Sequence, residues 1–217
     1  EAGDASDAVA LLDLLERDGW GVVIGGSAGQ LGQLDAGQQR RQLRADRVVE
    51  VAADPRPLRL ALGLDEGFFA SKNRRHRNVI RAIHYPAQER PLIPQPGQVR
   101  ASMHTDYGSL TILRLGGARP DGLQVMGATG AWIDVTTTAD EDCFVINLGD
   151  LMARWTNDRW LSTPHQVINP KDEEGARARR LSIAYFCNID MDARVECIPG
   201  CEGDGGAKYE PIDAGEW

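Results

Sequence analysis

Four histidines occur in this chain of 217 residues, and two stand where they could do chemistry. His104-Thr105-Asp106 closes a run of alternating texture. In a strand, residues i and i+2 point to the same face, so this imidazole and this carboxylate can converge on one ion. Tyr107-Gly108 then turns the chain and places the pair at a strand end. His165 follows Ser162-Thr163-Pro164 and opens another strand-like run. Two imidazoles and one carboxylate on a β framework make a facial triad, which leaves three positions of an octahedral iron(II) open. The same donor set can hold zinc, but no general base stands beside it to support hydrolysis. Taken alone, His-x-Asp is a weak signal, because short tripeptides recur by chance. His76 lies in a basic run and reads as solvent-facing. His84, beside Tyr85 and Pro86, reads as a packing residue of its strand.

A second pattern suits an anion. Arg180-Leu181-Ser182 opens the last long strand, and Arg180 shares a face with Ser182. A guanidinium fork beside a hydroxyl can take a carboxylate bidentately. Arg177 and Arg179 stand close by, so on spacing alone the motif equals a surface arginine next to an outward serine.

The elements that must position these groups are short. Ser6 can cap a helix over Asp7–Asp18, with Gly19 as its stop. Trp20–Ile24 reads as a buried strand. Gly25–Gly37 has no period, and its glycine pair is not a phosphate loop, since no Gly-Lys-Ser/Thr follows. A weak helix is expected over Ala36–Val51, and a short one over Leu58–Leu62 after the Asp54–Pro57 break. From Asn78 onward the texture becomes β. Eight short runs are separated by Gly, Pro and Asp: Val79–Tyr85, Val99–His104, Ser109–Leu113, Leu123–Met126, Trp132–Val135, Cys143–Leu148, Gln166–Ile168 and Leu181–Cys187. That spacing predicts a mainly β sandwich or jelly roll. No repeat or second domain is visible, so residues 1–217 read as one domain, with an N-terminal helical and strand portion over 1–63 and a β core over 78–190.

Bulk properties exclude several classes. The formal net charge is −8, against nucleic-acid binding as the main task. The basic run Lys72–Arg77 reads as a solvated face. No run approaches the ~20 apolar residues that span a bilayer, and the acidic start is unlike a signal peptide. The expected location is cytoplasmic. The four cysteines, Cys143, Cys187, Cys197 and Cys201, are accordingly expected to be reduced. The two that flank the Ile198-Pro199-Gly200 turn are expected to form no disulfide. Oligomeric state leaves no trace in the sequence.

In the order His104-x-Asp106, His165, Arg180-x-Ser182, the sequence resembles the 2-oxoglutarate and iron(II)-dependent dioxygenases, most of all their isopenicillin N synthase-like branch. Longer phrases carry the likeness: Arg81 to Pro86, His104 to Leu113, Gly122 to Val125 followed by Trp132 to Val135, Asn147 to Asp150, and Trp155 to Asn157 leading to Ser162–His165. The likeness covers about residues 57 to 213. It implies a double-stranded β-helix, a jelly roll flanked by N-terminal helices. It implies that His104, Asp106 and His165 bind Fe(II), and that Arg180, Ser182 and Tyr85 hold the distal carboxylate of 2-oxoglutarate. Asn147, Gly149 and Asp150 would be structural. The implied reaction consumes O2 and oxidises a small organic molecule by hydroxylation, desaturation or cyclisation. An oxidase of the same branch that uses no 2-oxoglutarate is the alternative, because its Arg-x-Ser pair binds a substrate carboxylate instead. A β-sandwich that binds without turnover is a further alternative, disfavoured by the intact triad. The family commonly has a longer stretch before the Leu58 helix, continues past the residue matching Trp217, and has a shorter loop than Lys171–Arg179. The expectation is that mobile segments near the pocket lie outside this chain.

Overall fold

A computed structural model describes residues 20–25, 56–65, 67–87, 94, 97–117, 122–135 and 142–217. The expected helices over Asp7–Asp18 and Ala36–Val51 lie outside the described residues, as does the Gly25–Gly37 stretch beyond Gly25.

Alternating and apolar runs become strands with bounds close to those expected. They are β1 (Trp20–Gly25), β2 (Val79–Tyr85), β3 (Val99–His104), β4 (Leu110–Gly117), β5 (Leu123–Met126), β6 (Trp132–Asp134), β7 (Asp142–Leu148), β8 (His165–Ile168) and β9 (Arg180–Cys187), followed by the two-residue strands β10 (Arg194–Val195) and β11 (Ile212–Asp213). Among the described residues three α-helices accompany them, α1 (Arg56–Ala61), α2 (Asp150–Trp155) and α3 (Glu173–Arg177), with 3-10 turns at Ala70–Lys72 and Ala214–Glu216. Helices α2 and α3 were not expected. In α3 the Asp172 carboxylate accepts from the Gly175 amide and caps the helix, so the long loop before Arg180 is partly an ordered turn of helix.

The strands form a five-stranded sheet in the order β1-β7-β4-β9-β2 and a four-stranded sheet in the order β3-β8-β5-β6. All the described pairings are antiparallel. This is the double-sheet jelly roll. Leu115 and Val145 of the larger sheet pack with Leu123, Val125 and Val135 of the smaller one, and this small cluster lies between the sheets.

Among the described residues, the larger apolar cluster lies on the outer face of the larger sheet. Leu110, Ile112, Ile146, Leu148 and Cys187 pack there with Leu58 of α1, Phe69, Trp155 of α2, Trp160 and Ile198. Trp160, Ile146 and Leu148 are fully inaccessible. The C-terminal segment is clasped against α2. Asn157 donates to the carbonyls of Glu202 and Gly206 and accepts from the Lys208 amide, and Tyr209 donates to Asp158. Asn157 and Asp158 both adopt positive φ, 54° and 63°, a conformation that Asn and Asp tolerate better than other non-glycine residues. Cys187, Cys197 and Cys201 are free thiols.

Candidate active site

Cross-strand partners in a sheet share a face, so the register fixes which residues look between the sheets. Thr111 pairs with Asn147 on one side and Phe186 on the other. Two residues on, Leu113 pairs with Val145 and Ala184; further on, Leu115 pairs with Ser182, and Gly117 with Arg180. On β2, Arg81, Ile83 and Tyr85 pair with Ala184, Ser182 and Arg180. The inner face therefore runs from a polar row at Thr111 and Asn147, through Leu113, Val145 and Ala184 with Arg81 at the β2 edge, to a polar end at Ser182, Arg180 and Tyr85.

At the first polar row stand His104, Asp106 and His165, whose potential ligand atoms lie within 4.8 Å of one another. His104 and His165 are direct partners in the β3–β8 pairing, after register shifts along β3. Their ring centroids are 4.4 Å apart. Each ring is fixed by the same local device: His104 Nδ1 lies 2.7 Å from the Ser102 carbonyl, and His165 Nδ1 lies 3.1 Å from the Thr163 carbonyl. A carbonyl can only accept, so both Nδ1 atoms carry the proton and both Nε2 atoms keep a lone pair for a metal.

Asp106 is buried, 8 % exposed. Its Oδ2 accepts from the Thr111 hydroxyl at 2.6 Å and the Asn147 amide at 2.9 Å, while Oδ1 lies 3.8 Å from His165 Nε2. One oxygen is thus tied to the protein and the other aims at the imidazoles. The turn after Asp106 docks on the start of α2: the Asp150 amide donates to the Asp106 carbonyl, and Thr105 donates to the Asp150 carboxylate. Gly149 is required here, because a Cβ would strike the carbonyl oxygens of Gly108 and Asp106.

Thr111 and Asn147 were not picked out as partners of the carboxylate. Asn147 looked structural at the end of a core strand; it holds Asp106 directly. The signal that could have found them was a polar residue flanked on both sides by apolar ones in each of two buried runs. Buried polar atoms need partners, and these two find the same one.

At the far end, Arg180 is buried, 2 % exposed. Its Cζ lies 5.2 Å from the Tyr85 ring centroid. Gly122 beside it adopts a positive φ of 94°, and a Cβ there would press on the Ile168 carbonyl oxygen at 2.9 Å. Ser182 lies one strand repeat nearer the triad, on the same face. The structure thus brings Arg180, Tyr85 and Ser182 to one end of the cleft. Arg179 is exposed and Arg177 pairs with Glu173 on α3. His84 pairs with Leu181 on the outer face, and His76 is exposed; neither joins the site.

The sequence model of the 2OG-Fe(II) oxygenase superfamily matches residues 76–189. The chain belongs to that superfamily. Among similar superfamily proteins is a 2-oxoglutarate-Fe(II) type oxidoreductase, hxnY, of Emericella nidulans, 36 % identical over 71 % of this chain and 42 % of its own length. Validamycin A dioxygenase of Streptomyces hygroscopicus subsp. limoneus is 32 % identical over 71 % of this chain and 41 % of its own. The chain thus spans less than half the length of these curated relatives. Among solved structures, a full-length Neurospora crassa protein in complex with alpha-KG superposes with a TM-score of 0.66 at 38 % identity, covering 79 % of this chain and 55 % of that one. The same fungal protein with alpha-KG and 5-formyluracil gives a TM-score of 0.76 at 26 % identity over 100 % of this chain and 89 % of that one. The superfamily's cofactors are Fe(II) and 2-oxoglutarate, with O2 as co-reactant. Two imidazole nitrogens and a carboxylate oxygen gathered in this way suit Fe(II).

Proposed function

We propose that this chain is the catalytic core of an iron(II)- and 2-oxoglutarate-dependent dioxygenase that oxidises a small organic molecule. The carrying observation is the presence of two polar groups in one jelly roll: a two-histidine, one-carboxylate cluster at the β3–β8 end of the smaller sheet, and a buried arginine on β9 of the larger one. In this reading His104, Asp106 and His165 hold the iron. Arg180, with Ser182 and Tyr85 as neutral donors, holds the distal carboxylate of 2-oxoglutarate. The 2-oxo acid end then faces the metal. Bound Fe(II) supplies the activation of O2 that couples oxidative decarboxylation of 2-oxoglutarate to oxidation of a C–H bond.

The protein's share is positional. Thr111 and Asn147 hold one oxygen of Asp106 and leave the other for the metal. The two carbonyl contacts fix the imidazole tautomers. Burial of Arg180 strengthens its pull on a carboxylate, because fewer waters compete. The same reading takes residues 1–217 as a single oxygenase unit working in the cytoplasm on a small-molecule substrate. Among the described residues no helix is long and apolar enough to cross a membrane.

The test is anaerobic reconstitution with Fe(II) and 2-oxoglutarate, read by the visible absorption of the metal–oxoacid chelate, followed by oxygen uptake titrated with 2-oxoglutarate. Charge-assisted bonds are worth roughly 1.5–3 kcal/mol each, so Arg180→Gln weakens 2-oxoglutarate binding by at least about tenfold and leaves iron affinity near normal. Arg180→Lys, which keeps a point charge, loses less. Oxygen uptake without 2-oxoglutarate supports the oxidase alternative and reassigns Arg180 to the substrate's own carboxylate.

A further inference from the structure

Resting on that reading, we infer that Arg100 is a second cationic residue of the 2-oxoglutarate pocket, acting through Tyr85. Arg100 lies on β3 and is half-buried. Its Cζ is 4.7 Å from the centroid of the Tyr85 ring. Arg180 approaches the same ring from β9, its Cζ at 5.2 Å. One phenol therefore meets two guanidinium groups.

The placement matters because of where the strands run. β2 is the edge of the larger sheet and β3 is the edge of the smaller one. No ladder joins these edges among the described residues. The Arg100–Tyr85 contact reaches across that gap, from a side chain four residues before His104 to the direct cross-strand partner of Arg180. It links the strand that ends in the first metal ligand to the end of the cleft that takes the carboxylate.

Guanidinium over an aromatic face is attractive, more so when water is partly excluded. The ring thereby loses freedom to swing out of the cleft, and its hydroxyl stays near Arg180. Two cations at one ring also repel each other, and an anion bound beside them relieves that repulsion. The arrangement favours a ligand with a full negative charge at this end, which a dicarboxylate such as 2-oxoglutarate has and a short 2-oxo monocarboxylate lacks. Arg100 is a positioning residue: it orders Tyr85 and raises the local potential.

The experiment is equilibrium binding by calorimetry to the Fe(II)-loaded protein under anaerobic conditions. The probes are 2-oxoglutarate and 2-oxobutyrate, which share the chelating end and differ in the distal carboxylate. Arg100→Gln is expected to weaken 2-oxoglutarate by about five- to tenfold and to leave 2-oxobutyrate unchanged. Arg100→Lys restores part of the loss, and Tyr85→Leu narrows the difference between wild-type and glutamine side chains at position 100, leaving the part due to charge alone. Equal affinity for 2-oxoglutarate in wild type and Arg100→Gln overturns the inference. Equal losses for both probes, with a lowered melting temperature, overturn it in favour of a purely structural contact. If the wild type binds neither probe, the cosubstrate reading itself has failed, a result distinct from a failure at Arg100.

Discussion

The larger sheet has two unlike faces. Its outer face is a broad apolar layer sealed by α1, α2, two tryptophans and the C-terminal segment. Among the described residues its inner face contributes Leu115 and Val145 to a small aliphatic cluster shared with the smaller sheet. Along β4, β7 and β9 successive described residues alternate between the two faces. Among the described residues the larger buried apolar cluster lies on the outer face, where burial stabilises the fold; the inner face carries ionisable groups. The division lets the site be rebuilt without unmaking the fold, and it can be tested from either side.

The largest effect is expected on the inner face. Asp106→Ala removes the only carboxylate of the triad and is expected to eliminate turnover and metal retention, with the far-ultraviolet circular dichroism unchanged. Loss of folded signal together with activity would break the separation of the two faces. On the outer face, Trp160→Ala empties a fully buried site and should cost about 3–5 kcal/mol of unfolding free energy, measured by denaturant titration. At temperatures where that variant stays folded, its iron affinity should match wild type.

Smaller effects sharpen the comparison. Asn147→Ala and Thr111→Val each take one donor from Asp106 Oδ2 and should weaken iron by about 10- to 100-fold, read by competition with a metal chelator. Stability should change much less than for Trp160→Ala. The smallest effect concerns Cys187, on the outer face, whose thiol pKa burial pushes up to about 12 from an ordinary 9.0. A raised folded-state value favours the neutral thiol in the native protein. Its stabilising share is full below pH 9.0 and is lost as pH rises toward about 12. Cys187→Ala should flatten the fall of stability across that window, and native wild type should resist alkylation at Cys187 near pH 8. In the unfolded, unreduced protein a thiol titration is expected to find four free groups, Cys143, Cys187, Cys197 and Cys201, since no disulfide is proposed between the last two. Finding two would overturn that reading and the cytoplasmic one with it.

Legibility in the sequence followed the same division. Strand bounds such as Val79–Tyr85, Val99–His104 and Leu123–Met126 could be read directly, because alternation and flanking turn residues are local signals. The triad and Arg180 with Ser182 could be named from spacing and family likeness. What was missed depends on contacts distant in sequence. Nothing local to Asn147 says that it reaches Asp106, 41 residues away. Arg100 meets Tyr85 only because two sheet edges come together. The helix α2 was hidden because Asp150–Trp155 is short and most of its residues are buried, which blurs the helical period.

The two histidine rings are each oriented by a carbonyl only two residues back in the chain. An ion arriving from solution therefore meets lone pairs already turned toward it, and no proton has to migrate around either ring before coordination. If the site takes Fe(II) as proposed, little remodelling of the two rings would be needed, and amide exchange in β3 and β8 should be nearly the same before and after loading.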